Sequence, residues 1–191
     1  MKPKKPLIVV ALPQELNKAS NMDLDVIFTG VGKVNAAYKL TKELAFRKKS
    51  NTYPDIVINY GTAGSHYLKK GSIYVIDTFI QRDMDVTPLG FDLSVTPFED
   101  HPNILKFSNH LSSSLICATG DNFEIEKLNL NYDLVDMEAY SLAKVCYFEN
   151  IRFISVKYIS DNANDSAATD WNSNVSKGED LFLNWYLEYF K

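Results

Sequence analysis

The chain has 191 residues, a length that suits one compact domain spanning residues 1–191. Hydrophobic residues make up 46%, and the net charge of −4 lacks the basic surplus typical of nucleic-acid-binding proteins. No apolar run reaches the roughly 20 residues that cross a bilayer, and the run after the basic start Met1–Lys5 is too short for a signal peptide. We therefore expect a cytoplasmic protein that binds neither nucleic acid nor membrane.

Seven apolar stretches rich in β-branched residues predict buried strands. They are Leu7–Ala11, Val26–Thr29, Ile56–Tyr60, Ser72–Phe79, Ser114–Thr119, Leu134–Asp136 and Phe153–Tyr158. Apolar residues at helical spacing predict helices over Asn35–Lys48, Glu138–Phe148 and Leu181–Phe190. Alternating strands and helices predict an α/β fold with a mixed, mostly parallel central sheet flanked by helices.

Two stretches without periodicity, Asp92–Asn109 and Asn162–Gly178, predict loops because they are rich in Asp, Asn, Ser and Pro. The second is interpreted either as a lid over a site or as a mobile surface loop. The two cysteines stand in apolar runs, as buried free thiols do, and neither they nor the three histidines have metal-ligand spacing.

Small or polar residues follow five of the predicted strands. They are Glu15, Gly30-Val31-Gly32, Gly61-Thr62-Ala63-Gly64, Gly120-Asp121-Asn122-Phe123 and Ser160-Asp161. Because ligands of such sheets bind beyond the carboxyl ends of the strands, the five segments predict one shared crevice. The small turn Thr62-Ala63-Gly64 would let the flat face of a ligand approach the backbone. Both glycine turns are equally consistent with plain connections.

Asp136-Met137-Glu138 stands where a strand meets a helix. A carboxylate accepts two hydrogen bonds from a vicinal diol, so Glu138 is a candidate ligand for ribose O2′ and O3′. Met137 would pack beneath the sugar through its adaptable thioether. The alternative, acids at a helix N-terminus, explains Glu138 through the helix dipole but gives no reason for Met137.

Ser160-Asp161 and Glu15 supply a candidate acid and base for cleaving a purine from ribose. Asp161, kept partly protonated by an apolar pocket and positioned by Ser160, would protonate N7 of the base. Glu15 would activate a water that attacks C1′. The structural alternatives are a turn or cap residue for Asp161 and a solvated loop residue for Glu15.

Taken in order, these motifs resemble the 5′-methylthioadenosine/S-adenosylhomocysteine nucleosidases of the nucleoside phosphorylase superfamily, from about Leu7 to Asp165. The most specific parts are the string from Thr29 to Ala37, Met137-Glu138 and Ser160-Asp161. The resemblance implies the same roles for Glu15, Glu138, Met137 and Asp161. It also implies that the aromatic ring of Phe123 stacks on the base.

The resemblance implies further that Thr62 takes the place of a serine near the water, and that Lys157 stands where the family usually has an arginine. It implies a homodimer in which a partner lends the segment Asp85–Phe91 to cover the 5′ group. Hydrolysis of this kind needs no cofactor or metal. Leu89 replaces an aromatic residue that is usual in the 5′ pocket of the family, so the identity of the 5′ substituent stays open. The stretch between Glu15 and Thr29 is shorter than in typical members, so we expect a hairpin of the central sheet to be missing.

Three alternatives remain open. A purine nucleoside phosphorylase would need a phosphate site, but the first loop has no glycine or arginine, and the candidate arginines are Arg47, Arg82 and Arg152. A hydrolase of hypoxanthine nucleosides is disfavoured because the Asp161 carboxylate would repel a 6-oxo group. A nucleoside-binding protein without catalysis is disfavoured because all three candidate carboxylates are present.

Overall fold

The structure is a computed structural model that describes residues 6–108 and 111–190. Met1–Lys5, Asn109 at the end of a predicted loop, His110 and Lys191 lie outside the described residues. The described strands are β1 (Leu7–Val10), β2 (Val26–Phe28), β3 (Ile56–Gly64), β4 (Ile73–Ile76), β5 (Thr78–Gln81), β6 (Leu105–Lys106), β7 (Ile116–Thr119), β8 (Leu134–Asp136) and β9 (Arg152–Asp161). The helices are α1 (Lys33–Lys49), α2 (Ala139–Phe148), α3 (Ala167–Asn174) and α4 (Glu179–Phe190), and short 3-10 helices cover Pro13–Glu15, Asn17–Asn21 and Thr87–Leu89.

All nine strands belong to one sheet with the main order β2-β1-β3-β8-β7-β5-β6, while β9 pairs with β3 and β4. Strand β1 runs parallel to β2 and β3, strand β3 to β9, and strand β7 to β5 and β8. The pairs β3–β8, β4–β9 and β5–β6 are antiparallel. The predicted fold class, a mixed and mostly parallel sheet, is therefore confirmed.

Helices cover the sheet with two apolar layers. The first layer packs Leu40 and Leu44 of α1 and Leu142 of α2 against strand residues, and the second packs Phe182 and Trp185 of α4. Every side chain of β1 is buried, as its uninterrupted apolar sequence predicts. None of the helices in the described part of the chain is long and apolar enough to cross a membrane.

The structure corrects several sequence-based boundaries. Residues 61–64 and Ser160-Asp161, predicted to follow their strands, are the last residues of β3 and β9, because the two strands pair with each other up to Gly64 and Asp161. The predicted strand Ser72–Phe79 is two strands, because the chain changes partners at the buried Asp77: β4 pairs with β9, whereas β5 pairs with β6 and β7. The predicted loop Asp92–Asn109 contains β6, which the Asp77 carbonyl helps to hold by accepting the Phe107 N–H. The predicted loop Asn162–Gly178 contains helix α3.

Candidate active site

A pocket at the carboxyl ends of the strands, here called the strand-end pocket, is lined by residues from all five segments that were predicted to form one crevice. Its lining includes Glu15, Thr62, Ala63, Gly64, Phe123, Asp136, Met137, Glu138, Ser160 and Asp161. Val31 and Asn122, from two of the predicted segments, also line it, together with residues that had not been predicted for the site: Ala11, Leu12, Arg82, Glu124, Val135 and Trp171. Residues from eight separate segments meet here, mostly because parallel strands end at one edge of the sheet, while Trp171 comes from α3.

Glu15 is buried, with 3% of its surface exposed, and backbone and side-chain donors hold its carboxylate. Oε1 accepts the N–H and the hydroxyl of Thr62, both at 2.9 Å, and Oε2 accepts the Leu12 N–H at 3.0 Å. Burial raises the pKa of Glu15, while these hydrogen bonds and the charge of Lys157 lower it in part. The group is thus a carboxylate with an elevated pKa, as a general base working near neutral pH requires.

Asp161 reaches the pocket through a bulge at the end of β9. Ala63 of β3 is opposite Ile159 and Gly64 is opposite Asp161, so Ser160 is an extra residue in the ladder. Ser160 Oγ donates to Asp161 Oδ2 at 2.8 Å, and the Ala163 N–H donates to Oδ1 at 3.0 Å. Burial raises the pKa of Asp161 despite these two hydrogen bonds. A protonated Asp161 is therefore accessible nearer to neutral pH than an exposed aspartic acid is.

Gly64 is required by the close approach of Asp161. A Cβ at position 64 would lie 2.5 Å from Asp161 Oδ1, closer than real Cβ contacts allow. The small residue that the sequence predicts for a ligand therefore makes room first for a carboxylate of the chain itself.

Asp136 and Lys157 form a buried ion pair beneath the pocket. Lys157 Nζ lies 2.8 Å from Asp136 Oδ2, and the two side chains are 1% and 0% exposed. The carboxylate also accepts the N–H groups of Glu138 and Ala139 at 3.2 and 2.8 Å, which caps α2. Burial alone would raise the pKa of Asp136, but Lys157 holds it below its ordinary value. Asp136 therefore fixes the neighbouring backbone, and its side chain is not exposed to a ligand.

Glu138 begins α2, and its carboxylate crosses to the glycine turn after β2. Its Oε1 accepts the Gly32 N–H at 2.8 Å. Gly30 and Gly32 have φ values of 81° and 93°, a backbone conformation that glycine adopts without steric cost. Burial and then the charge of Asp136 raise the pKa of Glu138 to about 8. The N–H of the turn thus binds a carboxyl oxygen that belongs to a side chain of the pocket.

Phe123 stands at the mouth of the pocket and is 49% exposed. Its ring makes an edge contact with Trp171 of α3, with centroids 6.5 Å apart. Met137, half-buried, follows the last residue of β8. The flat face of Phe123 remains accessible for stacking against a planar ligand.

Arg82 is the cationic side chain of the lining, and it is bound by its neighbours. Its Nη1 donates to Asn122 Oδ1 at 3.1 Å, its Nη2 donates to the Asn122 carbonyl, and its Nε is 3.8 Å from Glu124 Oε2. Glu124 in turn accepts the Tyr132 hydroxyl at 2.9 Å and lies 3.0 Å from His66 Nε2. Arg82 therefore supports the segment that carries Phe123, and its charge is matched by a buried carboxylate.

The other two candidate arginines lie away from the lining. Arg47 of α1 binds Glu43 of the same helix and Asp25 just before β2, and Arg152 donates to the Asp55 carbonyl at 3.2 Å. Within residues 6–108 and 111–190, no group of three His, Cys, Asp or Glu side chains could hold a metal ion.

The chain matches the family model of the phosphorylase superfamily over residues 16–182. It is 32% identical over 179 residues to the 5′-methylthioadenosine/S-adenosylhomocysteine nucleosidase of Staphylococcus aureus strain MRSA252, an alignment that covers 81% of this chain and 76% of that protein. Its fold matches the S-adenosylhomocysteine nucleosidase of Streptococcus pyogenes, solved in complex with 5-methylthiotubericidin, with a TM-score of 0.83 at 20% identity over 100% and 99% of the two chains. A futalosine hydrolase mutant of Helicobacter pylori strain 26695 matches with a TM-score of 0.82 at 20% identity, over 97% of this chain and 99% of that one.

Proposed function

Because the chain belongs to the 5′-methylthioadenosine/S-adenosylhomocysteine nucleosidase family of the phosphorylase superfamily, we propose that it hydrolyses the N-glycosidic bond of an adenine nucleoside and releases adenine. The observation that carries the proposal is the meeting of Glu15, Glu138 and Asp161 in the strand-end pocket. Each of the three carboxyl groups is buried, has an elevated pKa and has different partners. Different surroundings for neighbouring carboxyl groups support separate roles for them.

In the proposed reaction, Asp161 gives its proton to N7 of the purine as the N9–C1′ bond breaks and its electron pair moves to the base. Glu15 takes a proton from the water whose oxygen bonds to C1′. The products are the neutral base and the free sugar, and proton exchange with solvent restores both carboxyl groups. The elevated pKa of Asp161 supports its role as acid, because an ordinary aspartate is ionised at neutral pH.

Glu138 binds the ribose diol in this proposal, with Met137 beneath the sugar and Phe123 against the base. Thr62 keeps Glu15 in place, while Ala63 and Gly64 form the wall that faces the ligand. Ser160 directs Asp161, and Asp136 fixes the start of α2 from which Glu138 projects. The developing positive charge on the sugar is stabilised by the surrounding carboxylates.

The test is base release from 5′-methylthioadenosine, S-adenosylhomocysteine, adenosine and inosine, each with and without phosphate. Futalosine belongs in the same panel, because a structure with the same fold is named a futalosine hydrolase. We expect adenine release that does not depend on phosphate. Release that requires phosphate would replace hydrolysis by phosphorolysis, and no release from any nucleoside would favour a binding protein.

Asp161→Asn tests the proposed acid, since an amide has a similar shape but cannot donate a proton to N7. We expect turnover to fall by about 10²-fold to 10⁴-fold while the fold is kept. Asp165→Asn is the matched control, because Asp165 is an exposed residue of the same segment. Near-wild-type turnover of Asp161→Asn would remove Asp161 from the acid role.

We also propose that two copies form a homodimer. Apolar side chains are exposed on α1 and on the segment after β5, with Val34 78%, Tyr38 61% and Leu89 72% exposed. The ion pair of Lys33 with Asp83 brings the start of that segment to the start of α1. Sedimentation velocity should give a dimer, and Tyr38→Glu should dissociate it; a wild-type monomer at all concentrations would contradict the proposal.

We propose, finally, that residues 1–191 form one domain and that the protein is cytoplasmic. The free thiols of Cys117 and Cys146 are buried, which suits a reducing compartment. Limited proteolysis should leave one core fragment, and cell fractionation should recover the protein with cytoplasmic markers.

A further inference from the structure

Helix α3 places Trp171 between the two sides of the strand-end pocket. Its indole Nε1–H donates to Thr62 Oγ1 at 2.9 Å, while its ring edge contacts Phe123. Thr62 Oγ1 is also 2.9 Å from Glu15 Oε1. A chain of two hydrogen bonds therefore connects α3 to the carboxylate that the proposed reaction uses as base.

The direction of this chain follows from the chemistry of its members. An indole N–H can only donate, whereas a hydroxyl has one proton and accepts through its lone pairs. Thr62 Oγ1 must therefore accept from Trp171, and its own proton is directed to Glu15. The Trp171 N–H occupies a lone pair of Thr62 Oγ1, and this fixes the hydroxyl as a donor to Glu15.

The two carboxylate oxygens of Glu15 therefore accept different numbers of hydrogen bonds. Oε1 accepts the N–H and the hydroxyl of Thr62, while among the residues that the structure describes only Leu12 donates to Oε2, through its N–H. A carboxylate oxygen has two lone-pair sites, so Oε2 keeps one for a further donor. That donor position is suited to the water from which Glu15 takes a proton.

Two contacts on either side of Trp171 fix α3 over the strand ends. Lys70 Nζ lies 3.1 Å from Asp170 Oδ2, and Asn174 Nδ2 donates to the Ser160 carbonyl at 2.8 Å. The indole N–H is thus positioned by a helix that is attached to the backbone next to Asp161.

We propose that Trp171 is a positioning residue for hydrolysis: its N–H fixes Thr62 as a donor to Glu15, so that Glu15 presents one free lone pair to the attacking water. This inference rests on the proposed function, in which Glu15 activates water. The alternative role of Trp171 is an apolar wall that only contacts the ligand. The two roles differ in which kinetic constant depends on the N–H group.

Trp171→Phe removes the N–H and keeps an aromatic ring against Phe123. We expect kcat to fall between about 2-fold and 12-fold, the factor that one net hydrogen bond supplies, with KM changed by less than about 2-fold. Without the indole N–H the Thr62 hydroxyl is no longer fixed as a donor to Glu15, and a carboxylate that loses a hydrogen bond has a higher pKa, so the acidic limb of the pH profile of kcat should move to higher pH. Trp185→Phe, which changes a tryptophan of α4 outside the lining, is the matched control and should leave kcat unchanged.

The double variant with Thr62→Val tests whether the effect passes through the hydroxyl. In the Thr62→Val background, Trp171→Phe should have no further effect on kcat, because the chain is already broken. If the two substitutions lower kcat by independent factors that multiply in the double variant, the proposal is overturned. It is also overturned if Trp171→Phe changes KM alone and keeps the wild-type pH profile.

The hydrogen bond itself has a readout that needs no activity. The chain has two tryptophans, so its ¹⁵N spectrum should contain two indole N–H signals, and the signal that Trp171→Phe removes belongs to Trp171. Thr62→Val should shift that signal and speed its exchange with solvent, while the Trp185 signal stays in place. An unmoved Trp171 signal overturns the inference, whereas absence of base release by the wild-type protein overturns the proposed function first.

Discussion

Replacing Lys157 by methionine removes one partner of the buried ion pair and keeps most of the side-chain volume. Lys157 Nζ and Asp136 Oδ2 are 2.8 Å apart, and both side chains are buried away from solvent. Breaking such a pair from one side costs about 3–5 kcal/mol, because the remaining charge stays buried. Asp136 keeps the hydroxyl of Thr119 and the N–H groups of Glu138 and Ala139, so we expect a loss of about 3 kcal/mol, at the lower end.

The loss should depend on pH with a definite sign. In the wild-type protein the pKa of Asp136 lies below its unfolded value of about 3.9, so the pair stabilises the fold above that pH and loses this contribution below it. Without Lys157, burial raises the pKa of Asp136 above the unfolded value. The variant therefore loses stability as the pH rises, and the difference in the free energy of unfolding between the two proteins grows with pH.

Urea unfolding at pH 5 and pH 8 measures this difference. Lys144→Met is the matched control, because Lys144 pairs with Glu99 at the surface, where such a pair contributes at most about 1 kcal/mol. A Lys157→Met effect that is equal at both pH values, or no larger than that of Lys144→Met, would refute the reasoning. The same variant should move the acidic limb of the kcat profile to higher pH, because Lys157 lowers the pKa of Glu15.

Three further predictions concern the pocket. Gly64→Ala puts a Cβ 2.5 Å from Asp161 Oδ1, so the carboxyl group must shift; we expect kcat to fall by about 10²-fold with an unchanged circular dichroism spectrum, and normal kcat would contradict the close approach. Because the pKa of Glu138 is raised to about 8, the free energy of unfolding should fall as the pH rises from about 4 to 8, by up to about 1.4 kcal/mol per pH unit. Urea unfolding should show a weaker pH dependence for Glu138→Gln than for the wild-type protein. Gly120→Ala puts a Cβ 2.8 Å from Arg82 Cζ and should displace the support of the Phe123 segment, so KM should rise more than kcat falls in steady-state assays.

The predicted pocket members could be found from sequence because they lie at or just beyond the carboxyl ends of strands. Buried strands stand out as β-branched runs, and the carboxyl ends of parallel strands meet at one edge, so Glu15, Glu138 and Asp161 converge without any knowledge of loops. The orientation of each side chain could not be predicted from the sequence. The bulge at Ser160, which turns Asp161 toward Gly64, depends on the partner strand β3 and has no signature in β9 itself.

Trp171 could not be assigned to the site because its helix has no strong local signal. The α3 sequence contains Thr, Asp and two Asn residues, which favour caps and turns over helix interiors. Contacts outside the helix hold it in place, among them those of Asp170 and Asn174. Tertiary contacts therefore decide this element, whereas hydrophobic periodicity decides α1, α2 and α4.

The electrostatic balance of the pocket bears on the choice between water and phosphate. Among the described lining residues Arg82 is the cation, and Glu124 lies beside its Nε while Asn122 binds both of its Nη groups. Lys157 is behind the lining and is paired with Asp136. A phosphate dianion entering here would meet carboxyl groups and no unpaired lining cation, and would have to break a buried pair to gain one. A neutral water has no such cost, and Glu15 offers it an acceptor, so the arrangement that lets Glu15 act as a base also disfavours phosphate as the nucleophile.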